Sequence, residues 1–302
     1  MIKKLRVILE DSVRRNVSES LLLSGGLDTS ILALILKDLG VRFLPVSVFL
    51  EGKGKDLEYV TQLSKILKID PIIVNVKIEE AESAIPQVIK ILKSFDPAIP
   101  NDLVVYFGMK RLKEEKVTSV ITGDGADELF AGYEYMKKIK DLEGYIERIS
   151  KNLFFNSDPI GEAFGIIVKR PYVDEMVKTY AKEIPKSMKI RKGWGKWILR
   201  KAYEKFLPKA LIFQDKRPLE IGSGMTFLRD YLASKIEDKE FEEKKRLYGM
   251  KFYGKDHLYY FEIYKSIFKE IPQAKIGEII CPNCKGGKKS NHCRICGYVE
   301  VL

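Results

Sequence analysis

Histidine and cysteine are scarce in this 302-residue chain, and that scarcity limits its chemistry. The two histidines are His257 and His292, and no cysteine precedes Cys281. Nucleophilic triads of the Ser/His/Asp or Cys/His type require a histidine beside the nucleophile, and two late histidines offer no plausible arrangement of that kind. A lone histidine is usually structural. We therefore expect chemistry that needs no histidine or cysteine nucleophile.

Long apolar runs are also missing. No run reaches the roughly 20 residues that a membrane-spanning helix needs, and residues 1–6 lead into a charged helix rather than a signal-peptide core. All four cysteines fall in the last 22 residues, which argues against a disulfide framework. The hydrophobic content of 45% is enough for a core of ordinary size. We expect a soluble, cytoplasmic protein with no membrane partner.

Apolar strands alternate with helices in the first half of the chain. Strands that are almost wholly apolar and separated by helices are typical of a parallel sheet covered on both faces, with ligands at the carboxyl ends of the strands. The fold class expected is therefore α/β, with a helical region and a small metal-binding tail after it. The predicted domains are 1–142 (α/β), 143–275 (helical) and 276–302 (tail). Before residue 123 the predicted helices are 1–15, 31–36, 56–67, 79–94 and 101–115. The first predicted strand ends at Leu23, and the other three cover residues 41–50, 72–76 and 117–122.

A pair of glycines follows the first strand. Gly25 and Gly26 permit a tight turn into a helix, whose N-terminus attracts anions. Hydroxyls and one carboxylate surround the pair, and a carboxylate beside phosphate implies an intervening cation such as Mg²⁺. The alternative is an ordinary strand-to-helix turn. The candidate phosphate-binding residues are Ser24, Gly25, Gly26, Asp28, Thr29 and Ser30.

The fourth strand ends in a second unusual loop, G-D-G-A-D-E-L-F-A-G-Y over residues 123–133. It places three acids within five residues, a hard oxygen cluster of the kind that suits magnesium. We predict that Asp28 and Asp127 together bind one Mg²⁺; the alternative is a capped turn that starts the next helix.

These loops resemble two known signatures. Residues 24–30, S-G-G-L-D-T-S, are similar to the S-G-G-x-D-S signature of the PP-loop ATP pyrophosphatases, and residues 123–133 resemble the second signature of the synthetase domain of asparagine synthetases. Further similar segments follow in order over about residues 1–235, including 163–165, 170–174 and 195–202. The resemblance implies an adenine nucleotide alpha-hydrolase-like fold and an AMP- and pyrophosphate-forming carbon–nitrogen ligase of asparagine biosynthesis.

The resemblance also implies roles for individual residues. Lys216 matches the lysine of the family loop that contacts the phosphates and the intermediate; an exposed surface lysine is the alternative. Asp124 stands where the family carries Glu or Tyr as its acid/base. Backbone contacts from Leu23 and Val48 would hold adenine and ribose. Thr122 and Gly123 would border the adenylate.

The chain departs from the family pattern in two respects. Glutamine-using synthetases begin with a glutaminase domain, whereas here the synthetase-like segment starts at once and position 2 is Ile2. We therefore expect the chain to use free ammonia, ammonia from a separate glutaminase chain, or another nucleophile. Ile167 occupies the position of a family glutamate, which leaves the acceptor open; aspartate is the candidate by resemblance.

Residues 182–217 carry twelve of the chain's lysines and arginines against three acids. Such a segment favours a polyanion as partner, so an enzyme that modifies tRNA or another RNA is the first alternative function. A lysine-rich solvated surface is the structural alternative. The second alternative function is a nucleotide-binding protein without catalysis, suggested by Ile167. Aromatic residues after 250 are interpreted as core rather than as a base-stacking platform.

Two C-x-x-C knuckles lie at the C-terminus, separated by eight residues. Four thiolates with this spacing predict a tetrahedral Zn²⁺ site without an open position, hence a structural zinc ribbon. The predicted ligands are Cys281, Cys284, Cys293 and Cys296, with His292 as a less favoured alternative.

Overall fold

The structure is a computed structural model, and it describes residues 1–300. Helices and strands alternate up to about residue 125, and short helices dominate after that. The strands are β1 Ser20–Leu22, β2 Leu44–Leu50, β3 Ile72–Val76, β4 Ser119–Ile121, β5 Ile167–Lys169, β6 Ile279–Ile280 and β7 Gly287–Lys288.

Sixteen α-helices accompany these strands in the described chain. The first five are α1 Ile2–Arg15, α2 Leu27–Asp38, α3 Leu57–Leu67, α4 Ile78–Leu92 and α5 Ile99–Glu114. The next six are α6 Ala126–Phe130, α7 Leu142–Ser150, α8 Ser157–Phe164, α9 Glu175–Glu183, α10 Lys186–Lys189 and α11 Trp197–Tyr203. The last five are α12 Lys209–Ile212, α13 Leu219–Gly222, α14 Phe227–Ala233, α15 Asp238–Tyr248 and α16 Lys255–Phe268, and short 3₁₀ helices cover Glu134–Lys138 and Pro171–Val173.

Five strands form one parallel sheet in the order β3-β2-β1-β4-β5. The register pairs Leu21 of β1 with Pro45 of β2 on one side and with Ile121 of β4 on the other. Because β1 and β4 are neighbours and run in the same direction, the loops that follow them emerge at the same edge of the sheet. The predicted α/β fold with a parallel sheet is confirmed.

The chain divides into two compact units, which are described separately. The first consists of Met1–Val48, Lys55–Val74 and Gly108–Pro218, and the second of Phe49–Gly54, Asn75–Phe107 and the chain from Leu219 onward. These units interleave along the sequence, whereas the predicted boundaries after residues 142 and 275 divide it linearly. That linear division stays a prediction.

In the first unit, α1 buries Leu5, Leu9 and Val13 completely or almost so, as its amphipathic pattern predicts. Helix α2 is buried from Ile31 to Leu36, which fits a helix of an α/β core. In the second unit, Tyr260 and Tyr264 of α16 are buried, and Tyr264 packs against Phe95 and Phe268. The interpretation of these tyrosines as core residues is therefore correct.

One strand lies where only helices were expected. Strand β5 pairs in parallel with β4, Val120 opposite Val168. Its three residues are too few to show an alternating pattern, although Ile166, Ile167 and Val168 are β-branched, as strand residues often are. Across residues 1–300, no helix has the length and apolar character to cross a membrane.

Candidate functional site

The loop after β1 is held rigidly by its own hydroxyl groups. The Oγ of Ser24 accepts from the Gly26 N–H at 3.2 Å and lies 3.1 Å from the Oγ1 of Thr29. Gly25 has φ +80°, and a Cβ at that position would lie 2.9 Å from the carbonyl oxygen of Asp56, so only glycine fits. Helix α2 starts directly after Gly26, and its first N–H groups have no partner within the helix. The loop therefore leads into a helix N-terminus, a geometry that suits an anion.

The loop after β4 touches the first loop. A Cβ at Gly123 would lie 3.1 Å from Cγ2 of Thr29 and 3.3 Å from Cβ of Asp28. Glycine at this position thus allows the two loops to approach each other. The structure brings together the residues that the sequence assigned to the two loops.

Lys196 connects the two acids that were predicted to bind magnesium. Its Nζ lies 2.5 Å from Oδ2 of Asp28 and 2.6 Å from Oδ1 of Asp127, and its side chain is 4% exposed. The second oxygen of Asp127 lies 2.8 Å from Nζ of Lys216. Oδ1 of Asp28 is buried and has no hydrogen-bond partner among residues 1–300. The sequence analysis placed Asp28, Asp127 and Lys216 at one site but gave Lys196 no role.

Two glycines explain how Lys196 reaches this position. A Cβ at Gly132 would lie 2.3 Å from Cε of Lys196 and 1.8 Å from Oδ1 of Asp127. A Cβ at Gly195 would lie 2.3 Å from the carbonyl oxygen of Ala131. Gly132 leaves room for the lysine side chain, and Gly195 lets the backbone beside Lys196 approach Ala131, but no local sequence pattern connects these glycines with Lys196.

The charges at the site are strongly coupled. Burial raises the pKa of Asp28, even though Lys196 favours its ionised form. Burial also acts against ionisation of Asp127, but Lys196 and Lys216 outweigh it, so the pKa of Asp127 is lowered. For Lys196, burial opposes the charged form, yet attraction to Asp127 and Asp28 leaves its pKa raised. Two carboxylates and two ammonium groups thus neutralise one another.

The segment that carries Lys216 is fixed on both sides of that lysine. The amide Nε2 of Gln214 donates to the carbonyl oxygen of Gly25 at 3.0 Å. The guanidinium of Arg217 donates to Oδ1 of Asp56 at 2.9 Å and lies over the Tyr59 ring, 5.1 Å from its centroid. These contacts hold the lysine-bearing segment against the glycine loop.

Buried Arg200 joins the same segment to the start of α11. Its Nε donates to the carbonyl oxygen of Gly195 at 2.9 Å, and its Nη1 donates to the carbonyl oxygens of Gln214, at 3.2 Å, and Ile212. The backbone beside Lys196 and the backbone beside Lys216 therefore share one arginine.

Asp124, predicted to transfer protons, is surrounded by donors. Its Oδ2 accepts from Oγ1 of Thr122 at 2.8 Å, from Oγ of Ser157 at 2.5 Å and from Nε of Arg170 at 3.3 Å. Three side chains from different parts of the chain therefore fix the orientation of the Asp124 carboxylate. Ile167 lies at the start of β5 and is 62% exposed.

Leu23 directly follows β1, and Val48 lies in the neighbouring strand β2. Both residues are buried. The N–H of Leu23 donates to the carbonyl oxygen of Val46 at 2.8 Å, and its carbonyl oxygen accepts from Oγ of Ser47 at 2.5 Å. A carbonyl oxygen has two lone pairs, so the Leu23 carbonyl retains acceptor capacity. Ser30 is buried, and its Oγ has no hydrogen-bond partner among residues 1–300.

The basic segment 182–217 is largely engaged inside the protein. Seven of its twelve cationic side chains donate to carboxylates or carbonyl oxygens. They are Lys186, Lys189, Lys196, Arg200, Lys201, Lys216 and Arg217. More than half of the cationic side chains of this segment are therefore hydrogen-bonded within the protein.

In the second unit, the four cysteines form one buried cluster. Their sulfur atoms all lie within 4.8 Å of one another, and the Sγ pairs Cys281–Cys296 and Cys284–Cys293 are 3.7 Å apart. A tetrahedral ion with Zn–S bonds of about 2.3 Å separates its sulfurs by about 3.8 Å, so the cluster fits a single tetrahedral ion. The Nε2 of His292 lies 2.8 Å from Oδ2 of Asp96 instead of within this cluster.

The chain is similar to asparagine synthetases over most of its length. Asparagine synthetase [glutamine-hydrolyzing] from Gallus gallus is 26% identical over 294 residues, which cover 88% of this chain and 52% of that protein. Asparagine synthetase B [glutamine-hydrolyzing] from Escherichia coli (strain K12) is 25% identical over 299 residues, covering 89% and 53%. The chain thus spans about half the length of these curated relatives.

The chain also aligns with a solved structure, the U34-tRNA thiolase NcsA from Methanococcus maripaludis with its [4Fe-4S] cluster. The TM-score is 0.41 at 13% identity, and the alignment covers 99% of this chain and 89% of that one.

The family model described as asparagine synthase matches residues 4–153 and 145–253. These matches take in both loops of the site, Lys196 and the Lys216 segment. The chain belongs to the asparagine synthase family.

Proposed function

We propose that the chain is an ATP-dependent ligase that activates a carboxylate as an acyl adenylate, releases pyrophosphate and forms a carbon–nitrogen bond. The observation that carries the proposal is the meeting of Asp28, Asp127, Lys196 and Lys216 beside the glycine loop. Paired acids and paired lysines at a helix N-terminus suit a triphosphate whose outer two phosphates leave together.

The glycine loop and the start of α2 would bind the phosphates through backbone N–H groups. Ser24 and Thr29 hold the loop in shape, and Ser30 offers a buried hydroxyl without another partner among the described residues. Leu23 and Val48 would bind adenine and ribose, and Thr122 and Gly123 would border the adenylate, by resemblance to the family.

Asp28 and Asp127 are the residues that would hold Mg²⁺. The unpartnered Oδ1 of Asp28 and the carboxylate chemistry of the pair fit a hard divalent ion. When bound, the ion would neutralise triphosphate charge and orient the α-phosphate for attack.

Lys196 and Lys216 would stabilise the departing pyrophosphate. Negative charge builds up on the β-phosphate as the bond to the α-phosphate breaks, and fixed cations contribute most at that stage. Lys216 is the more exposed of the two and sits on a segment held at both ends, so it is suited to reach the phosphates and then the reacting acyl centre. Asp124 is the candidate for proton transfer.

The substrates are proposed from the family. The acceptor is an amino-acid carboxylate such as aspartate, and the nitrogen source is ammonia, either free or delivered by a glutaminase chain. Because most of the cationic side chains of the basic segment are hydrogen-bonded within the protein, small substrates are favoured over tRNA.

The four-cysteine cluster is proposed to bind one structural Zn²⁺, because its sulfurs lie as close together as a single ion requires. In a [4Fe–4S] cluster, by contrast, each cysteine binds a different iron.

ATP/pyrophosphate exchange tests the proposal directly. The exchange is measured with Mg²⁺ and single amino acids, first for the native chain and then for Lys216→Ala. We expect exchange with at least one amino acid and a loss of roughly 100-fold in the variant. Lys209→Ala, an exposed lysine of the same basic segment, is the matched control and should retain the native rate. Equal rates in Lys216→Ala and the control would contradict the proposal.

A further inference from the structure

An ammonium group occupies the position between the two acids that are proposed to hold Mg²⁺. Nζ of Lys196 lies 2.5 Å from Oδ2 of Asp28 and 2.6 Å from Oδ1 of Asp127. Mg²⁺ binds oxygen at about 2.0–2.1 Å and demands strict octahedral geometry. A magnesium ion and the ammonium group therefore cannot lie between the same two oxygens.

The charge of the site also opposes a free divalent ion. Oδ2 of Asp127 is bound to Lys216, so the two carboxylates already face two cations. A free divalent ion would meet two like charges and no net negative charge. A triphosphate changes this balance, because its oxygens offer the ammonium groups other acceptors and bring negative charge to the site.

Lys196 lies where its ammonium group could exchange the carboxylates for triphosphate oxygens. Its side chain is 4% exposed and passes Gly132, where a Cβ would lie 2.3 Å from Cε of the lysine. The lysine side chain is thus packed against Gly132 with its ammonium group at the two carboxylates. The backbone beside it is tied through Arg200 to the segment of Lys216.

We infer that Lys196 is a built-in counter-ion that excludes a free divalent metal from the Asp28–Asp127 pair, so that the metal enters only together with a triphosphate. Lys196 is then a positioning residue that sets the order in which metal and nucleotide bind. The part of this inference that concerns the triphosphate rests on the proposed function; the exclusion of the free metal does not.

Mn²⁺ binding to the full chain, with its cysteine-bound metal retained, tests the inference. Free Mn²⁺ is measured by electron paramagnetic resonance, with and without α,β-methylene-ATP. For the native chain we expect no Mn²⁺ bound at this site without the nucleotide, and one Mn²⁺ per chain with it. For Lys196→Met we expect Mn²⁺ binding without nucleotide, tighter than in the native chain by roughly tenfold or more. A second substitution, Asp28→Asn, should abolish the gained binding.

Lys189→Met is the matched control. Lys189 is also a buried lysine of the first unit, but its ammonium group donates to the carbonyl oxygens of Ala181 and Ile184 rather than to carboxylates. This variant should gain no Mn²⁺ binding.

Two results would overturn the inference. One is Mn²⁺ binding to the nucleotide-free native chain that is lost in Asp127→Asn, a measurement that does not require Lys196→Met to fold. The other is a folded Lys196→Met chain that gains no binding. Failure of the native chain to bind α,β-methylene-ATP would instead count against the proposed function, and the gain of Mn²⁺ binding in Lys196→Met would still stand.

Discussion

At the scale of single residues, Asp127 forms ion pairs with both lysines of the site. Its Oδ2 accepts from Lys216, its Oδ1 lies 2.6 Å from Nζ of Lys196, and it is a proposed magnesium ligand. Asp127→Asn keeps the shape of the side chain but removes its charge. We expect pyrophosphate exchange to fall by about 100-fold or more while the far-ultraviolet circular dichroism stays native. Asp70→Asn, an exposed acid of the same unit, should retain its activity. Full activity in Asp127→Asn would contradict the metal assignment.

His257 provides a residue-scale test of the second unit. It is fully buried, stacks on Phe95 and Tyr253, and its Nδ1 accepts from the Tyr253 N–H at 3.2 Å. Burial lowers its pKa from 6.5 to about 4. Because only the unfolded chain takes up the proton between these values, the free energy of unfolding falls as the pH drops from 6.5 to 4. The shift corresponds to about 3 kcal/mol.

His257→Phe keeps the ring contacts and removes the titration. Urea unfolding at about pH 7.5 and about pH 4 should therefore show a smaller loss of stability in the variant than in the native chain, by up to about 3 kcal/mol. Equal losses would show that this histidine does not contribute to the acid sensitivity.

Residue by residue, the sequence predicted the acids better than the cations. Asp28 and Asp127 could be predicted because each follows a strand of a parallel sheet, and the structure brings them together. Lys196 could not, because its place depends on the side-chain path past Gly132 and Gly195, which no local pattern shows. The donors around Asp124 come from Ser157 and Arg170, far away in the chain, and were missed for the same reason.

At the scale of elements, the segment 214–217 is the part of the site whose position depends most on a few contacts. Arg217→Ala removes the ion pair with Asp56 and the contact with Tyr59. We expect the KM for ATP to rise by roughly tenfold with little change in the melting temperature, because Lys216 is then less well positioned.

Arg15→Ala is the control for this prediction. Arg15 also pairs with an aspartate through two nitrogens, at 3.1 and 2.7 Å from Asp174, and neither residue is assigned to the site. Its loss should leave the KM unchanged. If both variants raise the KM equally, the segment has no special positioning role.

The ribbon is the second element that can be tested alone. Cys284→Ser removes one of four sulfur ligands, and incomplete sets bind zinc weakly. We expect zinc content, measured by inductively coupled plasma mass spectrometry, to fall from about one per chain to well below it. Lys289→Ala, an exposed residue of the same ribbon, should retain the metal. A native chain purified without any metal would contradict the zinc assignment.

Among the elements, the alternation of strands and helices before residue 123 was predictable because buried parallel strands are nearly all apolar. Strand β5 was not, because it has three residues and completes the sheet only through its pairing with β4. The clustering of the four cysteines was predictable, because the two C-x-x-C knuckles lie in one short segment whose spacing suits a single site.

At the scale of the whole molecule, the family match extends over most of the chain, whereas the chain covers only about half of its curated relatives. Membership in the asparagine synthase family therefore supports the proposed ATP-dependent ligase activity. The acceptor and the nitrogen donor are proposed from the family alone. Ile167 is exposed at the start of β5, and the sequence analysis assigned it to the position of a family glutamate, so we expect the acceptor to differ there.

The central claim is that the two loops bind a magnesium nucleotide so that its outer phosphates depart together. The most direct test uses ATP labelled at the γ-phosphate, incubated with the full chain, Mg²⁺, ammonium and pooled amino acids, followed by separation of the products. The account predicts label in pyrophosphate together with AMP, and loss of that product in Lys216→Ala. Label in orthophosphate together with ADP would contradict it.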